Sequence, residues 1–318
     1  MIIKSITTAL YLLASTFAFA INSDSLFTET PVVLHTATGD IFGTLTTPKT
    51  SAKIPVALII AGSGPTDRNG NNPMMKNESL RYLAYGLASN NIASLRFDKR
   101  AIAESKAAAK SEADLRFEDY INDAKQWIEL LKKDKRFSTV TVIGHSEGSL
   151  IGMVASLNNA DGFVSIAGAG RPASQIIKEQ LATQPQVIKD SSYAIIDSLV
   201  MGKTVAHVNL MLYSLFRPSV QPYMISWFKY DPAKEIGKLK IPVLIVQGTN
   251  DVQVPVEDAK LLAKANPKAQ LVLINNMNHV LKIVEGDRQA NIASYSNPDL
   301  PVSHELINGI VDFIKRIK

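Results

Sequence analysis

The chain has 318 residues, of which 46% are hydrophobic and 20% are charged, and its formal net charge at pH 7 is +5. This composition is typical of a globular protein and excludes a collagen-like, low-complexity or largely disordered chain. The sequence has no cysteine, which excludes disulfides, thiolate metal sites and a cysteine nucleophile. Its basic residues are dispersed rather than clustered, so a nucleic-acid partner is not indicated.

Residues 1–20 have the pattern of a secretory signal peptide. Lys4 precedes an uncharged apolar stretch, which ends in Ala18-Phe19-Ala20 with small residues at the positions that signal peptidase reads. An uncleaved anchor is the alternative, but a membrane span needs about 20 apolar residues and this stretch is short. We therefore expect a mature chain that begins near Ile21, is periplasmic or secreted, and has no stable membrane insertion.

Short apolar segments alternate with longer helical segments along most of the chain. Residues 32–45 alternate in polarity around a Thr-Gly-Asp turn, which predicts an antiparallel hairpin. Amphipathic spacing predicts helices at 117–133 and 303–318. Continuous apolar runs favour a mostly parallel, doubly wound α/β sheet covered on both faces. The strands predicted from these runs are 55–61, 92–97, 140–144, 162–167, 242–247 and 270–274.

The alternation stops between residues 171 and 230, where only helical segments are found, and it resumes at Ile241. We predict a core made of residues 21–170 and 231–318, with a helical cap insertion, residues 171–230, over one end of the sheet. The insertion is rich in aromatic residues, more than a solvated surface helix needs. Because ligand pockets are mostly apolar, Phe216 and Trp227 are candidate substrate-binding residues; the alternative is that these aromatic residues pack onto the rest of the insertion.

The strongest chemical motif is Gly144-His145-Ser146-Glu147-Gly148. It follows a predicted strand and opens a predicted helix, which is the context that the G-x-S-x-G pattern requires. Glycines two residues either side of the serine leave room for a tight turn, and the N-terminus of the helix favours developing negative charge. Ser146 is therefore the candidate nucleophile; the alternative is a plain turn lined by glycines.

A serine hydroxyl needs a general base, and the base needs an acid that orients it. After a G-x-S-x-G serine, the acid and then the histidine follow in chain order. His279 lies in a short loop after the last predicted strand, whereas His304 begins the final helix. We therefore predict that His279 is the base, with a loop histidine of no catalytic role as the alternative.

The acid is predicted from the same sheet edge. Asp251 directly follows the strand 242–247, whereas Asp258 fits the face of the next helix and Asp231 precedes the strand. A turn or helix-cap aspartate is the alternative to a catalytic Asp251. The two oxyanion-hole donors are predicted to be the backbone amides of Glu147 and Ser63, with Gly64 as the next choice after Ser63.

These motifs resemble the α/β-hydrolase superfamily, in particular bacterial esterases and serine-aminopeptidase-like hydrolases. The resemblance covers the mature chain and is carried by residues 62–70, 144–149, 247–255 and 275–282. Residues 96–100 also match a subset of carboxylesterases, although that subset usually continues with glycines where this chain has Ala101-Ile102-Ala103. Arg100 is therefore expected to lie in a solvated turn. The resemblance implies an α/β-hydrolase fold, a Ser-His-Asp triad and ester-type hydrolysis.

Three functions are compatible with the sequence. The first is a carboxylesterase acting on a small-molecule ester of short to medium acyl chain, without a metal or other cofactor. The second is an exopeptidase with the same triad, which would need acidic groups for a free amino terminus; the insertion offers few, namely Glu179, Asp190 and Asp197. The third is a binding protein that keeps the fold without catalysis. The oligomeric state is left open.

Overall fold

One eight-stranded sheet organises the chain, in a computed structural model that describes residues 26–317. The strand order is β1-β2-β4-β3-β5-β6-β7-β8. The first two pairs, β1–β2 and β2–β4, are antiparallel, and every later pair is parallel. The strands are β1 Phe27–Thr36, β2 Gly39–Pro48, β3 Ile54–Ile60, β4 Ala93–Phe97, β5 Phe137–His145, β6 Gly162–Ile166, β7 Val243–Gly248 and β8 Gln270–Ile274.

Helices fill most of the connections between the parallel strands. Short 3-10 helices lie at Ala103–Ala108, Glu112–Asp114 and Leu210–Leu212. The α-helices are α1 Ser79–Ala88, α2 Phe117–Lys133, α3 Glu147–Ser156, α4 Ala173–Leu181, α5 Gln186–Val200, α6 Tyr213–Phe216, α7 Gln221–Trp227, α8 Pro232–Lys238, α9 Val256–Ala265, α10 Arg288–Ser294 and α11 His304–Lys315. None of the helices within residues 26–317 is long and apolar enough to cross a bilayer.

The sheet is covered on both faces, as the continuous apolar strands predict. On one face, α2, α3, α8 and α9 bury a core that includes Trp127 and Phe163. On the other face, α1 and α11 bury a second core that includes Leu83 and Ile310. Successive residues of a strand point to opposite faces, so a strand such as β3 must be apolar at nearly every position. The predicted doubly wound α/β architecture is confirmed.

Most predicted strands agree with the observed ones to within a few residues. The N-terminal hairpin is longer than its alternating pattern indicated, because β1 and β2 pair from Phe27 with Pro48 to Thr36 with Gly39. Strand β5 also begins earlier, at Phe137, which pairs with Ile54 of β3. The predicted signal peptide, residues 1–20, lies outside the described residues.

Residues 171–230, which we call the cap segment, contain helices α4 to α7 and no strand. The segment has an apolar core of its own, in which Phe216 is fully buried against Leu212 and Met224. Trp227 and Tyr223 lie between this core and the sheet, since both also pack against the core on the α2 face. Aromatic contacts with Phe117 of α2 continue this packing.

The expectation that Arg100 lies in a solvated turn is wrong. Its side chain is buried and bonds to Asp123 of α2, with an Arg100 Nη2–Asp123 Oδ1 distance of 2.5 Å. It also donates to the carbonyl oxygen of Ala108. Burial raises the pKa of Asp123 to about 6, although the arginine opposes the shift. Arg100 therefore ties the loop after β4 to helix α2.

The sheet also determines where a site can form. Strand β4 pairs with one edge of β3, and the next strand, β5, pairs with its other edge. The strand order therefore reverses between β3 and β5. In open α/β sheets, ligands bind outside the carboxyl ends of the strands at such a switch point. The loop after β3 and the turn after β5 meet here.

Candidate active site

Ser146 occupies a strained turn between β5 and α3. Its backbone angles, φ 55° and ψ −121°, lie in a region that residues with a side chain rarely adopt. The turn is close-packed: a Cβ on Gly148 would lie 2.3 Å from the Ile60 carbonyl oxygen, and one on Gly144 would lie 2.3 Å from the Gly148 carbonyl oxygen. Only glycine fits at either position, and this turn presents Ser146 to the carboxyl edge of the sheet.

His279 and Asp251 form a buried pair at the same edge. The Nδ1 atom of His279 lies 2.8 Å from Oδ2 of Asp251. Asp251 also accepts hydrogen bonds from the amides of Gln253 and Val254 and from the side chain of Gln247. Burial alone would raise the pKa of Asp251, but His279 and the two amides outweigh it and lower that pKa. The carboxylate therefore stays ionised and can orient the imidazole.

The serine and the histidine are not yet hydrogen-bonded. Among residues 26–317, no hydrogen bond joins the Ser146 hydroxyl to the His279 ring. The two are linked through His145, whose ring lies 4.9 Å from that of His279 between centroids. Catalytic hydrogen bonds in ligand-free enzymes are often long and shorten in the substrate complex.

The loop after β3 lies directly against the turn that carries Ser146. A Cβ on Gly62 would be 3.1 Å from Ser146 Cβ and 3.4 Å from His145 Nδ1, so the loop backbone packs against the turn. Within the described chain, the Ser63 amide donates to no backbone or side-chain acceptor. Glu147 is the first residue of α3, where the amide has no partner within the helix. Two free amides thus flank Ser146.

A cavity of about 780 Å³ opens above Ser146, between the sheet edge and the cap segment. Its volume is within the range of small-molecule sites. Trp227 and Tyr223 of α7 line it from the cap side, and Ser63 and Leu150 line it from the core side. Phe216 does not line it, because its side chain points into the cap segment's own core. The predicted contact of Phe216 with substrate stays a prediction, which this position does not favour.

Both carboxylates that line the cavity are paired with cations. Glu112 accepts hydrogen bonds from Arg217 of the cap segment, with an Nε–Oε2 distance of 2.7 Å. Glu147 Oε2 lies 3.3 Å from Lys99 Nζ, and its other oxygen accepts from the Tyr223 hydroxyl. Sequence reasoning missed Lys99, which follows β4 and is almost fully buried. The only signal for it was the match of residues 96–100 to a carboxylesterase subset.

The acids and histidines that are alternatives to Asp251 and His279 make structural contacts or lie on the surface. Asp258 is fully buried and binds Arg171 and the Gly170 amide, and Asp231 caps the N-terminus of α8. His304 is exposed at the start of α11. His207 is exposed in the cap segment, and His35 pairs with Asp40 on the hairpin. Within residues 26–317, no group of three or more histidine and acidic side chains could hold a metal ion.

Comparisons with known proteins agree with this architecture. The family model described as serine aminopeptidase, S33, matches residues 76–211, and the one described as TAP-like protein matches residues 227–294. Esterase EstD of Thermotoga maritima is 28% identical over 258 residues, which are 77% of this chain and 58% of that protein. The chain thus spans little more than half the length of this curated relative.

Solved structures show the same fold at low identity. Est1E from Butyrivibrio proteoclasticus, in its complex with ferulic acid, superimposes with a TM-score of 0.62 at 16% identity, covering 90% of this chain and all of that one. The α/β hydrolase GrgF from Penicillium sp. sh18 gives 0.61 at 16% identity, covering 91% of this chain and 99% of that one. The expected α/β-hydrolase fold is thereby confirmed.

Proposed function

We propose that this chain, which has the α/β-hydrolase fold, is a serine hydrolase of that superfamily and cleaves carboxylic esters. One observation carries the proposal: Ser146 lines the cavity in a strained turn, at the sheet edge where His279 and Asp251 are bonded. The esterase relative supports the same reaction class. We assign Ser146 as nucleophile, His279 as base and Asp251 as the group that orients the base.

In the first half of the reaction, the Ser146 oxygen attacks the ester carbonyl while His279 Nε2 takes the hydroxyl proton. Asp251 holds Nδ1–H and stabilises the imidazolium. The carbonyl oxygen becomes an oxyanion, which the amides of Ser63 and Glu147 bind. The intermediate then collapses: the ester C–O bond breaks, His279 returns the proton to the leaving alcohol, and the acyl group remains on Ser146.

In the second half, water completes hydrolysis. His279 takes a proton from the attacking water, whose oxygen bonds to the acyl carbon and forms a second oxyanion in the same hole. Collapse expels the Ser146 oxygen, which regains its proton from His279, and releases the carboxylic acid. The helix N-terminus at Glu147 favours the negative charge in both intermediates.

The cavity favours substrates of limited length. Trp227, Leu150 and Ile177 are among the many apolar residues that line it together with Ser146. An acyl chain that enters gains about 0.8 kcal/mol per buried methylene until the cavity is full. We therefore propose short to medium acyl esters rather than long-chain triglycerides as substrates.

An exopeptidase is the second candidate, favoured by the match to the serine aminopeptidase model. Such an enzyme needs a carboxylate available for the amino terminus of its substrate. Glu112 and Glu147 line the cavity, but Arg217 and Lys99 already neutralise them. Electrostatics at the cavity therefore favour a neutral ester over an ammonium group.

We also propose that residues 1–20 direct export and that the mature enzyme acts in the periplasm or outside the cell. The support is the order of charge, apolar stretch and Ala-x-Ala sequence at residues 1–20. An exported enzyme without cysteine needs no oxidative folding step.

A substrate panel tests the reaction class. Purified protein lacking residues 1–20 is assayed on p-nitrophenyl esters of increasing acyl length and on aminoacyl-p-nitroanilides, beside Ser146→Ala. We expect turnover of the esters, little turnover of the anilides, and loss of both in Ser146→Ala. Faster anilide turnover would establish the exopeptidase instead, and ester turnover retained by Ser146→Ala would refute the proposed nucleophile.

A further inference from the structure

Lys99 is a buried cation beside the nucleophile to which the triad mechanism gives no role. Its side chain is 1% exposed. It lines the cavity close to Ser146, on the loop that follows β4. Burial lowers the pKa of its ammonium group, although the charge of Glu147 opposes this shift. A charge is expensive to bury, so a specific arrangement must hold it.

The ammonium group of Lys99 donates a hydrogen bond to the carbonyl oxygen of Gly62. That carbonyl belongs to the same peptide unit as the Ser63 amide. A trans peptide is planar, and its C=O and N–H point in opposite directions. Whatever fixes the Gly62 carbonyl therefore also fixes the direction of the Ser63 N–H, which faces away from Lys99.

The same ammonium group is paired with Glu147, at 3.3 Å from Oε2. The backbone amide of Glu147 is the second proposed oxyanion donor. One lysine thus contacts both residues whose amides flank Ser146: the first through its peptide carbonyl and the second through its side chain. The Tyr223 hydroxyl holds the other oxygen of Glu147, and the Tyr120 ring lies 5.5 Å from the ammonium.

We propose that Lys99 is a positioning residue, which orients the Gly62–Ser63 peptide so that the Ser63 amide binds the oxyanion. This inference rests on the proposed esterase function and deepens it. Lys99 itself donates to Gly62 and Glu147 and does not touch the reacting atoms. Its loss leaves the nucleophile and the His279–Asp251 pair in place but frees the peptide to turn.

The test uses Lys99→Met, which keeps the apolar stem and removes the ammonium group. Its kcat on p-nitrophenyl butyrate should fall, by up to the roughly 100-fold that removal of one oxyanion donor costs, with KM little changed. Affinity for a trifluoromethyl ketone, which forms an oxyanion adduct with the serine, should fall by the same factor. A merely structural role would not weaken this inhibitor in proportion to kcat.

Arg96→Met is the matched control. Arg96 is also a buried cation of the same chain segment, in β4, but it binds Glu29 and does not line the cavity. This variant should lose stability while its kcat and inhibitor affinity stay close to those of the wild type. A second variant, Ser63→Pro, removes the amide itself. In the Ser63→Pro background, Lys99→Met should lower kcat little further, because both changes act on the Ser63 amide as oxyanion donor.

Lys99→Met leaves the Glu147 carboxylate buried without its cation, so circular dichroism must first show that the variant folds. If it does not, Lys99→Met combined with Glu147→Gln removes both charges and takes its place with the same expected losses. The positioning role would be overturned if both the single and the double variant unfold, or if either keeps the wild-type kcat. It would also be overturned if the losses of kcat in Lys99→Met and Ser63→Pro add. Absence of ester turnover in the wild type would instead refute the esterase, so the two failures are distinguishable.

Discussion

The Nε2 atom of His145 lies 2.8 Å from the backbone carbonyl oxygen of His279. Because a carbonyl can only accept, His145 donates from Nε2 and its other ring nitrogen faces the Gly62 side of the turn. One side chain thereby joins the turn that carries Ser146 to the loop that carries His279. The bond holds the proposed base at a fixed distance from the proposed nucleophile.

The burial of His145 predicts a specific acid sensitivity, which its bond to the His279 carbonyl opposes. Burial, reinforced by the charge of His279, lowers the pKa of His145 from 6.5 to about 3. Between these two values the unfolded chain binds a proton that the folded chain does not, so stability falls as the pH is lowered. The part of the unfolding free energy that depends on a neutral His145 is fully present above pH 6.5. It is lost toward pH 3, at up to about 1.4 kcal/mol per pH unit.

Urea unfolding at several pH values measures this effect. His145→Gln removes the titrating group, so its free energy of unfolding should depend less steeply on pH across the same window. His304→Gln is the control, since His304 is exposed and makes no contact with the site. Equal slopes for His145→Gln and the wild type would contradict the assigned cause.

The triad assignment predicts which histidine is essential. His279→Ala should lower kcat on esters almost as much as Ser146→Ala, because members of a triad act as a unit and their losses do not add. Asp251→Asn should lower kcat by about 10,000-fold, since the imidazole loses its orienting carboxylate. Steady-state kinetics and labelling by an organophosphonate measure both. Wild-type turnover in His279→Ala with loss in His304→Ala would refute the assignment.

The centre of the sheet could be predicted because strands β3 to β7 are buried on both faces. In β3 and β7 the burial makes nearly every position apolar, and such runs are visible without knowledge of the fold. The hairpin was harder to delimit: residues 28–31 of β1 are exposed, so no apolar pattern marks where it begins. Its extent depends on pairing with β2, which is a tertiary property.

The site could be predicted only where chemistry follows the chain order. Ser146, Asp251 and His279 each follow a strand, and parallel strands bring their carboxyl ends to one edge. Lys99 and Phe216 could not be assigned in this way, because their surroundings come from distant segments. Lys99 meets Glu147 across the switch point, and the short helix α6 turns Phe216 into the cap segment's own core.

The export proposal predicts the start of the mature chain. Intact-mass measurement of protein from its native host should show a chain that begins near Ile21, directly after the Ala-x-Ala sequence. The periplasmic or culture fraction should contain it. Recovery of the chain with Met1 in the membrane fraction would support an anchor instead.

Replacement of glycine by alanine should have opposite effects on stability in the turn at Ser146 and in helix α11. Gly148→Ala places a Cβ 2.3 Å from the Ile60 carbonyl oxygen, which must move. We expect it to destabilise the protein by about 1–3 kcal/mol and to slow phosphonate labelling. Gly309→Ala, in α11, meets no atom within 4 Å and should stabilise by up to about 1 kcal/mol. Urea unfolding compares the two, and equal effects would contradict the close packing.

The position of Trp227 predicts the dependence of activity on acyl length. Each added methylene should raise kcat/KM by up to about fourfold until the cavity is filled. Trp227→Ala enlarges the cavity on the cap side, so its optimum should shift to longer chains. The measurement is kcat/KM for a series of p-nitrophenyl esters.

Phe216→Ala separates the cavity wall from the core of the cap segment. Phe216, like Trp227, is an aromatic residue of the cap segment, but it is fully buried and does not line the cavity. Its truncation should cost about 3–5 kcal/mol of stability and leave the preferred acyl length unchanged. If the preferred acyl length shifted in Phe216→Ala but not in Trp227→Ala, the acyl chain would not bind beside Trp227. Best activity of the wild type on long-chain triglycerides would make the enzyme a lipase, since those chains exceed what this cavity can bury.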